Sequence, residues 1–478
     1  MIKNLKDEWS MAWLVAWREL RDQLRDWRII FPMIALTLIL PFLAVLGAQA
    51  AINFTTQYGT PLIAERLVPF LLMVVGYFPI TVSLVIALES FVGEKERGTI
   101  EPLLSSPLKD WQLFIGKLLA GTITPLFTSY LGITVYMIGL YFQHIPFPDA
   151  NRMAETLILT AVQAFLMVAG AILISTQATS VRASNLMASF IVIPMALLIQ
   201  GESVMLFWGN DKALWLAVAG VSDLAVLMVR VGIAHFQREA LLGREIDVLN
   251  LRWIGRTFWR AFKGNAKSFP AWFRTVVLGT VRKQAVSIWM TCGLGIAVAA
   301  AGYIWVALNA DKAVEAFRSG DLTGVLNSGT GVPLANIGLS FPMIWGHNLR
   351  AIVIILVLGL FSFGVLGTLI FLLNTAVIGV VLALEGAMGI SPVKLAIFGI
   401  LPHGIFEIPA LILSSAAVLY IGIALVTPRP QLTLGEVLIE AIADWAKIGI
   451  GLVLPLLTIA AVLETWVTPV LLLLSVIK

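Results

Sequence analysis

Apolar runs of about 20 residues, each long enough as a helix to cross the hydrocarbon core of a bilayer, return again and again along this 478-residue chain. In lipid every backbone N–H and C=O must find its partner inside the protein, which leaves helices or a closed barrel. The alternation of apolar and polar residues that barrel strands need is missing. Composition agrees: 13% of the residues are charged, where soluble domains carry roughly a quarter, and the mean hydropathy is +0.93. The expected fold class is an all-α polytopic membrane protein with about 11 transmembrane helices. The single cysteine, Cys292, excludes an internal disulfide and argues against a cysteine-based metal site. Residues 1–28 lack the short apolar core of a cleavable signal, so the first span is expected to act as an uncleaved anchor.

Four segments follow. Residues 1–28 are read as an N-terminal interfacial element, with an amphipathic helix from about Trp9 to Arg28 whose Trp13, Trp17, Leu20 and Leu24 share one face. Six spans are expected within 29–233, near 29–51, 67–91, 112–142, 156–178, 185–207 and 212–233, with 201–211 counted as a loop. Residues 234–286 form a basic amphipathic linker, and 287–478 carry five further spans, near 287–308, 349–373, 374–389, 405–426 and 447–473. Between Arg230 and Lys283 stand eleven Lys/Arg against Glu239, Glu245 and Asp247. The positive-inside rule makes that stretch cytoplasmic, which places the N-terminus and residues 93–111 on the same side, 309–348 outside, and the C-terminus outside. Arg252, Arg256, Arg260 and Lys263 in the linker are expected to meet anionic lipid headgroups. Trp253, Trp259 and Trp272 are expected to anchor at headgroup level, and no nucleic-acid role is read from this basic cluster. Pro392, Pro402, Gly404 and Pro409 break an otherwise apolar stretch, which predicts a discontinuous or re-entrant element there.

The densest polar interruption is GEKERGTIEPLLSSPLKDW, residues 93–111. Gly93 and Gly98 permit a tight backbone, and Ser106-Pro107 suits a helix start with a serine cap and proline in the first turn. Glu94, Glu96, Arg97 and Glu101, with Ile100, Leu103 and Leu104, offer both charge signs and apolar contact. Composition alone leaves this as either a turn between spans or a docking surface. Asp223, Glu89, Gln163 and Gln177 lie in or near the first six spans, either lining a pathway or bonding helix to helix. Glu385, His403, Glu407 and Glu464 are ionisable residues in the later apolar runs, which face an interior or a cavity. His403 and Glu407 share a helical face, and pairing across the broken helix is the first reading, with a proton relay or metal as a lesser one. HExxH is absent, and no catalytic residue or metal centre is assigned. No phosphate-binding loop is encoded either, since Gly116-Lys117 falls inside a span and not after a strand.

Gly93, Glu94, Lys95, Glu96, Gly98, Thr99, Glu101, Leu103, Leu104, Ser106, Pro107, Gly116 and Lys117 together resemble the signature after the second span of type-2 ABC exporter permeases. The six spans, the interfacial helix and HFQREALL after the sixth span extend the resemblance over residues 8–245. It implies a coupling helix at 93–107 that docks on a separate ATP-binding subunit. It also implies two permeases as a homodimer or pseudo-dimer, two ATPase copies holding ATP and Mg, alternating access, and a cell (inner) membrane location. Pro402, His403, Gly404, Glu407, Pro409 and Ala410 are similar to the hallmark of the stage II sporulation protein M family. Asn348, Asn374 with Gly379, Glu464 and Pro469 extend that likeness over about 287–475, although Thr375 follows Asn374 where the family has glycine. This half implies a membrane scaffold linked to cell-wall enzymes. The functional expectation is an exporter permease subunit without its own nucleotide site. The alternative is a non-transporting scaffold that acts on peptidoglycan enzymes, and the minor alternative an intramembrane metal-dependent enzyme using His403 and Glu407.

Overall fold

The computed structural model describes residues 2–58, 61–178, 180–208, 211–236, 251–318, 340–427, 429 and 432–477. HFQREALL beyond Phe236 and most of the 309–348 loop lie outside the described residues. Every described element is helical, and among the described residues eleven helices are long and apolar enough to cross a membrane. The chain divides into two units, Met1–Leu249 and Asn250–Lys478.

The first unit comprises α1 Ile2–Gln23, α2 Trp27–Tyr58, α3 Pro61–Glu96, α4 Ile100–Leu104, α5 Asp110–Phe142, α6 Ala150–Gln177, α7 Val181–Met187, α8 Ser189–Trp208 and α9 Asp211–His235. α3 and α6 form its centre, against which α2, α5 and α9 pack. Lipid tails are as apolar as leucine, so helices associate here by close packing and polar contacts more than by the hydrophobic effect. Leu88, Phe91, Leu113, Phe114, Ala164 and Ile172 interlock in one cluster, and Leu72, Val75, Tyr136 and Leu140 in another. Tyr136 is fully buried and donates its hydroxyl proton to the Val68 carbonyl at 3.1 Å, which satisfies the one polar atom that burial would otherwise strand.

α1 starts earlier than its periodicity suggests and stops at Gln23, and a turn at 24–26 separates it from α2. Its packed face is Ala12, Val15, Ala16 and Leu20, while Trp9, Trp13, Trp17 and Leu24 stand exposed. Of the expected stripe only Leu20 turns inward. Small side chains let α1 lie directly on α5: a Cβ on Gly116 would come within 2.6 Å of Val15 and 2.8 Å of the Ala12 carbonyl. The tryptophans are left for the membrane interface, where their amphipathic rings sit best. α8 runs on through the expected 201–211 loop as far as Trp208.

The second unit comprises α10 Leu251–Lys263, α11 (269–283), α12 Ala285–Leu308, α13 Ala310–Arg318, α14 Phe341–Phe361, α15 Val365–Ala387, α16 Pro392–Val426, α17 Leu434–Trp466 and α18 Thr468–Ile477. α12 and α15 make its closest pair, with Gly379 so near α12 that a Cβ would lie 1.9 Å from the Ala299 carbonyl. The boundary between the second and third spans of this unit falls at Ser362–Gly364, some ten residues before the expected one. Phe363 and Gly364 both have positive φ, 50° and 88°, and the Gly364 N–H closes on the Gly359 carbonyl at 2.7 Å. This hairpin carries no charge, and hydropathy cannot register it.

The broken segment around Pro402 is a correction to the sequence expectation. α16 is one continuous helix from Pro392 to Val426, with a π-helical stretch at Leu395–Ile400. Just ahead of Pro402, which has no N–H to donate, the Leu401 N–H reaches back five residues to the Ala396 carbonyl in the wider π-helical register. α17 carries a similar stretch at Gly449–Val453 and begins with a capping box, in which the Thr433 hydroxyl accepts from the Glu436 N–H at 3.1 Å and the Glu436 carboxylate from the Thr433 N–H at 2.8 Å. The expected last span splits into α17 and α18 at Val467. Trp272 is buried, with its indole N–H donating to the Phe262 carbonyl at 2.8 Å, and is not a headgroup anchor. Trp253 and Trp259 are exposed.

Candidate functional site

Residues 93–111 are built as an end cap of α3, a five-residue helix and the start of α5. α3 closes in a Schellman motif: the Thr99 N–H bonds to the Glu94 carbonyl at 2.9 Å and the Gly98 N–H to the Lys95 carbonyl at 3.1 Å. Gly98 takes φ +67° with nothing near its missing Cβ, so backbone conformation and not space requires the glycine. α4 follows, holding Glu101, Leu103 and Leu104, and its Ile100 packs into the Phe91 cluster. Only the backbone of Leu103 and Leu104 is described. The expected cap at Ser106 is displaced, because the chain stays extended through Leu108–Lys109 and α5 begins at Asp110. Its N-cap is Lys109, and Gln112 in the first turn reaches back to it: the Gln112 Oε1 accepts from the Lys109 N–H at 2.8 Å while its Nε2 donates to the Glu8 carbonyl at 2.9 Å. Lys109 adds an ion pair to Glu8 at 2.5 Å.

Behind this element lies Lys117. Its ammonium has three protons and three acceptors: the Ser90 carbonyl at 2.7 Å, Glu19 at 3.0 Å and Glu94 at 3.2 Å. The Phe91 ring lies 4.9 Å away. One cation, 2% exposed, therefore ties α1, α3 and α5 together. Gly116, one residue earlier, sets the closeness of α1 and α5. A cleft of about 290 Å³ opens beside Lys117, lined by Arg18, Glu19, Asp22, Glu89, Glu94 and Arg97 among others.

The same end of α3 is clamped to α6 and α7. The Ser175 hydroxyl accepts from the Phe91 and Val92 N–H groups at 3.0 and 3.1 Å. Lys95 donates to the Ala178 carbonyl at 3.0 Å, Glu96 accepts from the Val181 N–H at 2.8 Å, and the Ser184 hydroxyl donates to the Leu88 carbonyl at 3.2 Å. The signature residues thus divide into two sets. Glu94, Lys95 and the Glu96 carboxylate hold the element to the bundle, and Gly93 is buried beside them. Arg97, Thr99, Glu101 and Pro107 point outward, and Ser106 is half-buried.

The polar residues of the spans are not gathered in one place by this fold. Gln163, on the buried face of α6, donates to Glu202 of α8. Sequence reading missed that carboxylate by assigning Gly201-Glu202 to a loop. Gln177 ends α6 beside Thr176, Glu89 borders the cleft, and Asp223 faces outward from α9. In the second unit Glu385 is half-buried near the end of α15. Arg252, Arg256, Arg260 and Lys263 are all exposed along α10. His403 and Glu407, one turn apart on α16, are joined by Glu464 from the last turn of α17, with one ligand-capable atom from each within 4.8 Å of the others. The partner of His403 is the Thr468 hydroxyl, 3.2 Å from Nδ1, and not Glu407.

Asp444 was also illegible as a site. It sits buried between Lys283 at 2.8 Å and Lys447 at 2.5 Å. Burial pulls the Lys283 ammonium toward a lower pKa, but the hydrogen bond and charge of Asp444, with Tyr420 nearby, outweigh it and leave the group above the ordinary lysine value.

Residues 13–213 match the family model described as ABC-2 family transporter protein, and residues 286–469 that described as Stage II sporulation protein M. A 141-residue stretch, 28% of this chain and 75% of the relative, is 32% identical to an uncharacterized protein of Methanocaldococcus jannaschii. The chain is a multi-pass membrane protein that fuses an N-terminal ABC-2 permease-like domain to a C-terminal stage II sporulation protein M-like domain.

Proposed function

We propose that the first unit is the membrane-spanning subunit of an exporter driven by separate ATP-binding subunits, with the driving force entering through residues 93–107. The observation that carries this reading is the Lys117 junction. An element with an outward, mixed-charge surface is rigidly tied to the helices behind it, through Lys117 to α1 and α5 and through Lys95 and Glu96 to the α6–α7 connection. Force applied at Arg97 and Glu101 therefore passes into four helices and is not dissipated in a loose loop. Two such chains, or one with a pseudo-symmetric partner, pair with two ATPase copies that hold the ATP and Mg. Closure of the ATPases drives alternating access. The N-terminus and residues 93–111 lie in the cytoplasm, and the exposed cations of α10 rest on anionic lipid of the inner membrane.

Arg97→Glu with Glu101→Lys tests this directly, because neither side chain anchors the element. In membranes of the source organism, a photo-crosslinker at Thr99 should capture a protein carrying a nucleotide-binding loop, and the double charge reversal should abolish both capture and ATP hydrolysis in the purified complex. Capture and hydrolysis that survive the reversal sink the assignment. A second reading is favoured by one observation: the second unit packs around a core of its own, with Ile352, Ala417, Ile448 and Leu457 at its centre. In it the protein is a scaffold that relays motion to extracytoplasmic peptidoglycan enzymes. Association with such an enzyme, in vesicles that transport nothing, would select it.

A further inference from the structure

We propose that His403, Glu407 and Glu464 form a binding site for a single divalent transition-metal ion inside the second unit. The sequence pattern assigned no metal centre, because it brings only two of the three ligands together. The fold supplies the third. His403 and Glu407 face the same way on α16, and α17 packs along α16 and ends with Glu464 beside them, so that one donor atom from each residue lies within 4.8 Å of the other two. This is somewhat wider than the edge of about 3.4 Å in a tetrahedral site with metal–ligand bonds near 2 Å. Three flexible χ angles in each glutamate close that gap.

Charge points the same way. All three residues lie within membrane-spanning helices. Among the described residues neither carboxylate has a hydrogen-bond donor or a cationic partner, and the lysine earlier on α17, Lys447, is already committed to Asp444. Two carboxylates side by side at membrane depth need protons or a cation. One divalent ion with a neutral imidazole cancels their charge completely. Imidazole with carboxylate oxygens suits zinc, and also manganese or iron, better than calcium or magnesium. The Thr468 hydroxyl on Nδ1 holds the His403 ring in place, as outer partners of metal-bound histidines do. A π-helical stretch occurs in each ligand-bearing helix, at Leu395–Ile400 directly ahead of Pro402-His403 and at Gly449–Val453. Such stretches are frequent at functional sites, and a third, at Trp272–Val277, carries none of these ligands. Three protein ligands leave a coordination position open.

The test uses the full-length chain with a tag that contains no histidine, in lipid nanodiscs, stripped with chelator, incubated with Zn²⁺ or Mn²⁺ and desalted. Metal analysis should find about one ion per chain. Glu407→Gln with Glu464→Gln, and separately His403→Asn, should fall to background while eluting as monodisperse protein. Cobalt in place of zinc should give visible d–d absorption in the wild type and lose it in both variants. Zinc should raise the thermal midpoint of the wild type and leave the double variant unmoved. The wild-type measurement decides even if the variants misfold: a chain that retains neither ion, and whose midpoint ignores them, holds a protonated carboxyl pair and overturns the site. Equal retention by wild type and the double variant overturns it too.

Discussion

Replacing Lys117 by methionine keeps a similar side-chain volume and removes only the charge and its three hydrogen bonds. Lys117 is 2% exposed, whereas the Glu19 and Glu94 side chains are 18% and 15% exposed at the edge of the cleft. Breaking a buried ion pair from one side costs about 3–5 kcal/mol, since the remaining charge loses its counter-ion. The two glutamates retain some contact with solvent, so the lower end, about 3 kcal/mol, is expected for Lys117→Met. Most of that loss is stranded negative charge and not lost packing. Glu19→Gln with Glu94→Gln in the Lys117→Met background should therefore recover all but about 1 kcal/mol. The assay is reversible denaturant unfolding of the purified chain in mixed micelles, run on the four corners of the cycle. A Lys117→Met chain within about 0.5 kcal/mol of wild type would refute the reasoning, as would a triple variant no more stable than the single one. ATP hydrolysis by the assembled complex supplies the functional counterpart, and it should fall in Lys117→Met while partner binding persists, because the outward surface is untouched.

Gly116→Val forces a side chain against Val15 and the Ala12 carbonyl. It should cost about 1–3 kcal/mol and free α1 from α5, read as new proteolysis between residues 2 and 23. Gly98→Ala meets no atom but keeps φ +67°, so only the backbone penalty of about 1 kcal/mol applies. Gly98→Asn should cost less, and the order Gly, Asn, Ala in stability checks the cap geometry. Lys283 is held above its ordinary pKa by Asp444. Its contribution is therefore complete below the unfolded-state value of about 10.4 and is lost as pH rises through the higher folded value. Thermal midpoints taken from about pH 9 to 11.5 should fall in the wild type, and Lys283→Met should remove the part of that fall that belongs to this pair.

Much of the architecture was legible in the residues. Gly98 declared its turn, because only glycine takes a left-handed backbone cheaply, and residues 93–107 announced themselves by carrying charge where their neighbours carry none. The face that α1 presents was misread because tryptophan is the stronger hydrophobic signal, yet it is alanine and valine that allow the close approach to Gly116. The hairpin at Ser362–Gly364 and the π-helical passage through Pro402 were missed for a related reason. Proline, glycine and uncharged turns within a bundle are re-satisfied by neighbouring helices that one strand of sequence does not reveal.

That this protein lives in a bilayer, is all helical, carries two membrane units and bears a charged signature after its second span can be read from the residues alone. Those properties follow from length, hydropathy and local backbone preference, which are read within a window of residues. Tertiary structure alone decided that Lys117 reaches back across 98 residues to Glu19 and across 23 to Glu94, that Glu202 answers Gln163, and that Glu464 closes on His403 and Glu407. In lipid nearly every face of a helix is apolar, so periodicity does not mark the face that packs. The choice is made by small residues and by polar pairs whose partners lie far away in the chain, and only the folded bundle brings them together.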